Sequence, residues 1–217
     1  MTHDTALAAP NTDPFSDPRQ RRDASDLGMW LFLTTETLFF GVLFAGYVIM
    51  RARFPHAFAA AGRHTDFALG TANTALLLTS SLCMALAVAT AEVNRRRATL
   101  IWLGATAALG IAFLAIKGFE YHAEYVEHLV PALDFRFDAR DFRGAEIFFW
   151  LYFVMTGVHA LHLTAGVAVV VLMAARLARS GFGKQTPLSI ELAGLYWHFV
   201  DIVWIFVYPC LYLIARS

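Results

Sequence analysis

Between Glu146 and Ala175 the chain reads EIFFWLYFVMTGVHALHLTAGVAVVVLMAA, and after its first residue this stretch contains no Asp, Glu, Lys or Arg. An α-helix rises 1.5 Å per residue, so a hydrocarbon core of about 30 Å requires about 20 mainly apolar residues. The run is long enough to cross a bilayer. Working outward, four more runs meet the same test: Leu27–Met50, Phe67–Ala91, Leu100–Phe119 and Ile190–Ala215. The second and third are rich in Ala, Gly, Ser and Thr, the small residues that let helices approach closely in lipid. The expected fold is all-α, an integral membrane bundle of five transmembrane helices over residues 27–217, preceded by a polar tail over 1–26.

Composition agrees. The chain has 217 residues, 58% hydrophobic and 16% charged, with a formal net charge of zero. Soluble domains are typically about 45–50% apolar and about 25% charged. The balanced charge gives no basic stripe, so no nucleic-acid partner is expected. Cys83 and Cys210 lie singly in apolar runs and form no CxxC motif. The tail has no apolar stretch of the kind a secretory signal needs, so the first membrane helix is expected to direct insertion.

Basic residues near helix ends favour the cytoplasmic side. With five spans, Arg19, Arg21 and Arg22, then Arg95, Arg96 and Arg97, then Arg176, Arg179 and Lys184 fall on one side. Arg51, Arg53, Arg63, Arg136, Arg140 and Arg143 fall on the other. The reading is a cytoplasmic N-terminus and a periplasmic C-terminus in a bacterial inner membrane. A loop from about Glu120 to Gly144, carrying Glu120, Glu124, Glu127, Asp134, Asp138 and Asp141, then faces the periplasm as a solvated segment, with a docking surface as the alternative reading. Phe148, Phe149, Trp150 and Tyr152 read as an outer-interface belt, and Trp197, Trp204, Tyr208 and Tyr212 as interface anchors or bundle filler.

Ionisable groups in hydrocarbon are costly and usually face the bundle interior, a cavity or a partner. Glu36 lies nine residues into the first run, about 13 Å along the helix. His159 and His162 are three apart in the fourth run; His198 and Asp201 are three apart in the last, with Glu191 one heptad earlier. Glu36, His159, His198 and Asp201 share a depth near mid-membrane and are expected to converge. Three readings fit this set: hydrogen bonding across helices, a proton-handling or lipid-head-group site, or metal or haem ligation, for which imidazole is a common ligand. Hydrocarbon disfavours a carboxylate, so Glu36 is expected to react with a hydrophobic carbodiimide.

Beyond the tail the chain resembles subunit III of haem-copper oxidases. The most specific segment is Tyr196-Trp197-His198-Phe199-Val200-Asp201-Ile202-Val203-Trp204, similar to the family's final-helix signature, with Glu191 ahead of it. Thr156-Gly157-Val158-His159-Ala160-Leu161-His162 resembles the family's Gly-x-His-x-x-His segment. Gly28-Met29-Trp30-Leu31-Phe32, followed by Glu36 and Leu38-Phe39-Phe40, resembles its reactive-glutamate helix. Asn73 to Leu78 and Glu120-Tyr121 fit the helices between.

The resemblance implies a chain without catalytic residues or metal of its own, one subunit of a proton-translocating oxidoreductase complex. Haem and copper would reside in its partners, oxidase subunits I and II. The chain would bind structural phospholipid, support proton uptake and protect the catalytic subunit. Glu36 then takes the reactive carboxyl's place. His159, His162, Glu191, His198 and Asp201 take those of the buried polar set, and Arg176, Glu36 and Trp197 those of lipid contacts. Seven-helix members have two further helices at the start. The five-helix form leaves a rival, a nitric-oxide-reductase-associated protein assisting denitrification. An independent membrane redox enzyme is a different class, separable by the colour of the isolated chain, and no inverted repeat points to a transporter.

Overall fold

The computed structural model describes residues 18–131, 133, 135–137, 142–183 and 186–213. Its helices are α1 (Pro18–Arg53), α2 (Pro55–Gly62), α3 (Phe67–Glu92), α4 (Arg96–Val126), α5 (Phe142–Ser180) and α6 (Thr186–Tyr208), followed by a π-helical turn, Pro209–Leu213. Five of the helical segments are long and apolar enough to cross a membrane, so the chain is a multi-pass membrane protein. Residues 1–17, most of the expected tail, lie outside the described residues, as do Asp134, Asp138, Arg140, Asp141 and Lys184. Residues 18–26, assigned to the tail on polarity, continue α1 as helix.

Short polar turns set the hairpins. The Asp66 carboxylate caps α3 by accepting from the Ala68 and Leu69 amides at 2.8 and 3.1 Å, meeting donors that a helix start leaves unpaired. The α3–α4 turn places Asn94 at φ +53°, a left-handed conformation that asparagine tolerates better than most residues. Arg96 then crosses to the end of α5, donating to the carbonyls of Leu177 at 3.1 Å and Ala178 at 2.6 Å. One arginine of the basic turn thus caps another helix, where unpaired carbonyls attract a cation. Gly181, at φ +71°, ends α5 with its amide on the Leu177 carbonyl at 3.1 Å, as glycine does at helix C-termini.

The core is a sandwich of α3, α4, α5 and α6. Helices α3 and α6 run antiparallel and are joined by four side-chain hydrogen bonds in step: Thr71–Tyr208 at 2.7 Å, Thr74–Trp204 at 3.1 Å, Ser80–Trp197 at 2.9 Å and Ser81–His198 at 2.7 Å. Trp197 fills the space that Gly110 of α4 and Gly166 of α5 leave open; a Cβ on either would approach its ring to 2.9 or 3.2 Å. Small residues here make room for one large ring, the packing expected where lipid gives no hydrophobic drive.

At Pro209 the chain cannot donate to the carbonyl of Ile205, and the helix widens into the π-helical turn. The Tyr47 hydroxyl of α1 donates to the Cys210 carbonyl there, and Thr65 reaches the Leu211 carbonyl at 3.4 Å. Helix α1 is otherwise peripheral: only 17% of its most apolar window is buried, and Trp30, Leu31, Leu38 and Val42 are exposed.

Helix α2 lies against the start of α5, where Gly144 faces Ala57 so closely that a Cβ would meet Ala57 Cβ at 2.3 Å. Gly144→Ala is expected to destabilise the protein by about 1–3 kcal/mol through overpacking, against no comparable loss for Gly41→Ala, which has open space. Thermal unfolding of both variants in detergent checks this.

Candidate functional site

The polar residues of the bundle fall into three groups. The first is at the α1–α5 contact. Glu36 Oε2 lies 3.0 Å from His162 Nε2, and each side chain is 20% exposed. His162 Nδ1 faces the Val158 carbonyl at 2.8 Å. A carbonyl only accepts, so Nδ1 carries a hydrogen and Nε2 remains for Glu36. The contact therefore holds one proton, on the carboxyl oxygen or on the imidazole, and the pair is neutral in either form. The Tyr196 hydroxyl donates to the His162 carbonyl at 2.9 Å, and Phe40 stands edge-on to the imidazole at 5.2 Å. Glu36 was expected without a nearby basic group; α5 supplies one from 126 residues away.

The second group is interior. His159 is fully buried between Phe113 and Trp204, with ring centroids 5.5 and 5.0 Å away. His198 bonds to Ser81 of α3, and Asp201 is 3% exposed. The nitrogens of His159, the oxygens of Asp201 and the amide of Asn73 are buried without a hydrogen-bond partner. The expected convergence on Glu36 is corrected by these partners: Glu36 faces α5 through His162, while His198 faces α3. Equal depth does not fix direction around a helix. Three residues turn a helix by about 300°, so His162 reaches the α1 side while His159 points inward.

The third group is the one that sequence reasoning missed. Helix α4 continues past Phe119 to Val126, so Glu120 and Glu124 are helical and buried, at 3% and 5% exposure, rather than part of a solvated loop. The cause is Lys117, itself 3% exposed. Its ammonium donates to Glu120 Oε2 at 3.0 Å, to Tyr152 Oη at 3.0 Å and to Tyr212 Oη at 2.8 Å. Glu120 Oε1 accepts from Tyr152 at 2.8 Å and from Tyr212 at 2.5 Å. Every N–H of the lysine and both carboxylate oxygens are occupied, which is what a buried ion pair requires. Lys117 and Glu120 stand at the i,i+3 spacing of helical ion pairs, the signal that could have found them. Tyr152 also leaves the proposed outer belt: it, Phe148 and Phe149 are fully buried, and only Trp150, at 50% exposure, stays at the surface. Trp197, Trp204 and Tyr212 are bundle filler.

Two of the remaining expected residues, Glu191 and Arg176, lie near one end of the bundle. Glu191 pairs with Arg22 at 3.0 Å, an exposed contact worth little by itself. Arg176 borders a cavity of about 560 Å³ that Met173, Leu177, Gly181 and Thr186 also line. Trp197, expected at lipid, is 1% exposed and enclosed by helices. Among the described residues, no group of three or more His, Cys, Asp or Glu side chains is arranged to hold a metal ion.

A multi-pass helical membrane bundle with polar side chains placed at its helix contacts is the class this geometry defines. Residues 19–216 match the family described as cytochrome c oxidase subunit III. The chain is 32% identical over 189 residues to cytochrome c oxidase subunit 3 of Alkalihalophilus pseudofirmus, covering 87% of this chain and 86% of that protein. It is 31% identical to the cytochrome bo(3) ubiquinol oxidase subunit 3 of Pseudomonas aeruginosa, covering 87% and 84%. It is 28% identical to cytochrome c oxidase subunit 3 of Bacillus sp. strain PS3, covering 99% and 96%. The chain belongs to the cytochrome c oxidase subunit III family, the accessory subunit of haem-copper oxidases.

Lys117→Met leaves the Glu120 charge buried without its cation and is expected to cost about 3–5 kcal/mol. Adding Glu120→Gln is expected to restore part of that loss. A double-mutant cycle on thermal stability reads the coupling.

Proposed function

We propose that this chain braces the haem- and copper-bearing subunit I of a bacterial inner-membrane oxidase, alongside subunit II, and supports proton uptake there without chemistry of its own. The observation that carries the reading is the Glu36–His162 pair. It is a proton-sharing pair on a membrane-depth face, partly exposed rather than sealed in the core, and intramembrane ionisable groups usually face a cavity or a partner. Helix α1, mostly unburied by its own chain, supplies the apolar surface beside it for lipid or subunit I. The relatives named above are oxidase subunits, which supports this reading over the nitric-oxide-reductase-associated one. Their names include both cytochrome c and ubiquinol oxidases.

Phospholipid is the second part of the proposal. The cavity beside Arg176 combines a guanidinium with apolar walls from Met173 and Leu177, the chemistry that suits a lipid phosphate and the first carbons of its chains. The basic residues at that end, with Arg19, Arg22 and Arg95–Arg97 nearby in the topology, support a cytoplasmic orientation for it.

Glu36→Ala is expected to leave the haem spectrum of the complex intact and to shorten its working lifetime several-fold, read as oxygen consumption over many turnovers. An unchanged lifetime would reduce Glu36 to packing. A hydrophobic carbodiimide is expected to label Glu36; modification of loop carboxylates alone would count against the proton-sharing pair. Arg176→Ala is expected to lower the phospholipid retained by the purified complex, measured as phosphorus per haem.

A further inference from the structure

The end of the bundle opposite Arg176 holds a second cavity, of about 440 Å³, lined by Met50, Arg53, Phe54, Arg143, Glu146 and Ile147. Two helices distant in sequence build it: α1 ends at Arg53, and α5 begins one residue before Arg143. Along the continuous helix α5, Arg143 and Arg176 are roughly 50 Å apart at 1.5 Å per residue. A bilayer measures about 40–45 Å with its headgroup layers included. A lipid at each end of α5 would therefore sit in a different leaflet. Among the described residues none of the three charged side chains here forms an ion pair, and the Arg53 guanidinium rests over the Phe54 ring at 6.0 Å. Side chains on a helix lean toward its N-terminus. Glu146 on α5 thus leans outward toward the level of Arg143, and Arg53 on α1 leans inward toward both. Met50 and Ile147 add apolar wall about one helical turn further into the membrane than the two arginines.

Two cations and one anion around one cavity call for an occupant that carries both signs of charge above an apolar tail. We propose that this cavity is a phospholipid site selective for a phosphoethanolamine headgroup, in the leaflet opposite Arg176. Arg53 and Arg143 hold the phosphate, whose oxygens suit the forked donors of a guanidinium. Glu146 accepts from the primary ammonium, and the first methylenes of the acyl chains lie along Met50 and Ile147. Glu146 sets the headgroup. Phosphatidylglycerol brings a phosphate and no cation, so the carboxylate would face an anion alone, and a second phosphate would double that repulsion. A choline headgroup has a cation but no N–H to donate, and a carboxylate only accepts. Free phosphate satisfies the arginines and leaves Glu146 and the apolar walls unmatched. The site shares no residue with the Arg176 cavity and does not depend on the reading proposed for it.

Native mass spectrometry of the purified complex tests this, after detergent stripping and reloading with phosphatidylethanolamine or phosphatidylglycerol of equal chain length. All arms use an Arg176→Ala background, so lipid at the other cavity does not enter the comparison. Replacing Arg53→Ala and Arg143→Ala together is expected to weaken phosphatidylethanolamine binding at least about tenfold, the loss of two charge-assisted contacts. Unchanged binding overturns the proposal. Glu146→Gln keeps shape and both arginines, and it is expected to abolish a several-fold preference for phosphatidylethanolamine over phosphatidylglycerol. A preference that is absent beforehand, or that survives the change, overturns the headgroup assignment. Millimolar inorganic phosphate is expected to leave the bound lipid in place. Its displacement by phosphate would make this a free-anion site and contradict the proposal.

Discussion

An ammonium group sealed inside a helix bundle must have its charge balanced and all its hydrogens placed, and Lys117, 3% exposed, draws much of the bundle into meeting that demand. Its three donors reach one residue of its own helix, one of α5 and one of the turn after α6. The same tyrosines then complete Glu120. Because the pair is only 3% exposed and a lost partner is not readily replaced by water, α4, α5 and the chain's last described turn are held in one register. The widened turn at Pro209 belongs to this arrangement: it brings Tyr212 against Gly70 on one side and the lysine on the other.

Around this centre the helices pack by two different means. Between α3 and α6 the contact is directional, a row of hydroxyl, indole and imidazole bonds that fixes antiparallel alignment. Between α4, α5 and α6 it is steric, with Trp197 occupying the gap left by two glycines. Helix α1 has neither in quantity. It is held by the Glu36–His162 pair, by Tyr47 on the widened turn and by an exposed arginine–glutamate contact. A helix attached so lightly is suited to sit between its own bundle and a neighbour, and the proton-sharing pair lies on that boundary.

The spans were legible because apolar length is a one-dimensional property: Phe67 begins α3 as read, and the run from Glu146 lies wholly within α5. The end of α4 was not, since Lys117, Glu120 and Glu124 look like solvent-seeking residues until their partners on α5 and beyond Pro209 are known. Depth was readable for Glu36, His159, His198 and Asp201, but azimuth was not, and a helix places residues of one depth on opposite faces. His162 as the partner of Glu36 required the tertiary fold. The aromatic residues misled for a related reason: Tyr152 was read into an interface belt, yet its hydroxyl, like that of Tyr212, serves a buried ion pair. The family signature around Trp197, His198 and Asp201 was recognisable as a pattern, while the reason for Trp197, a ring between glycines of two other helices, was not.

Taken together, these features describe a helical oxidase subunit packed around a buried ion pair, for which we propose a bracing role beside a metalloprotein. The visible absorption spectrum of the chain, purified with its companions and again after separation from them, tests this most directly. The account predicts haem absorbance in the complex and a colourless separated chain. A Soret band that stays with the lone polypeptide in fixed ratio would contradict it.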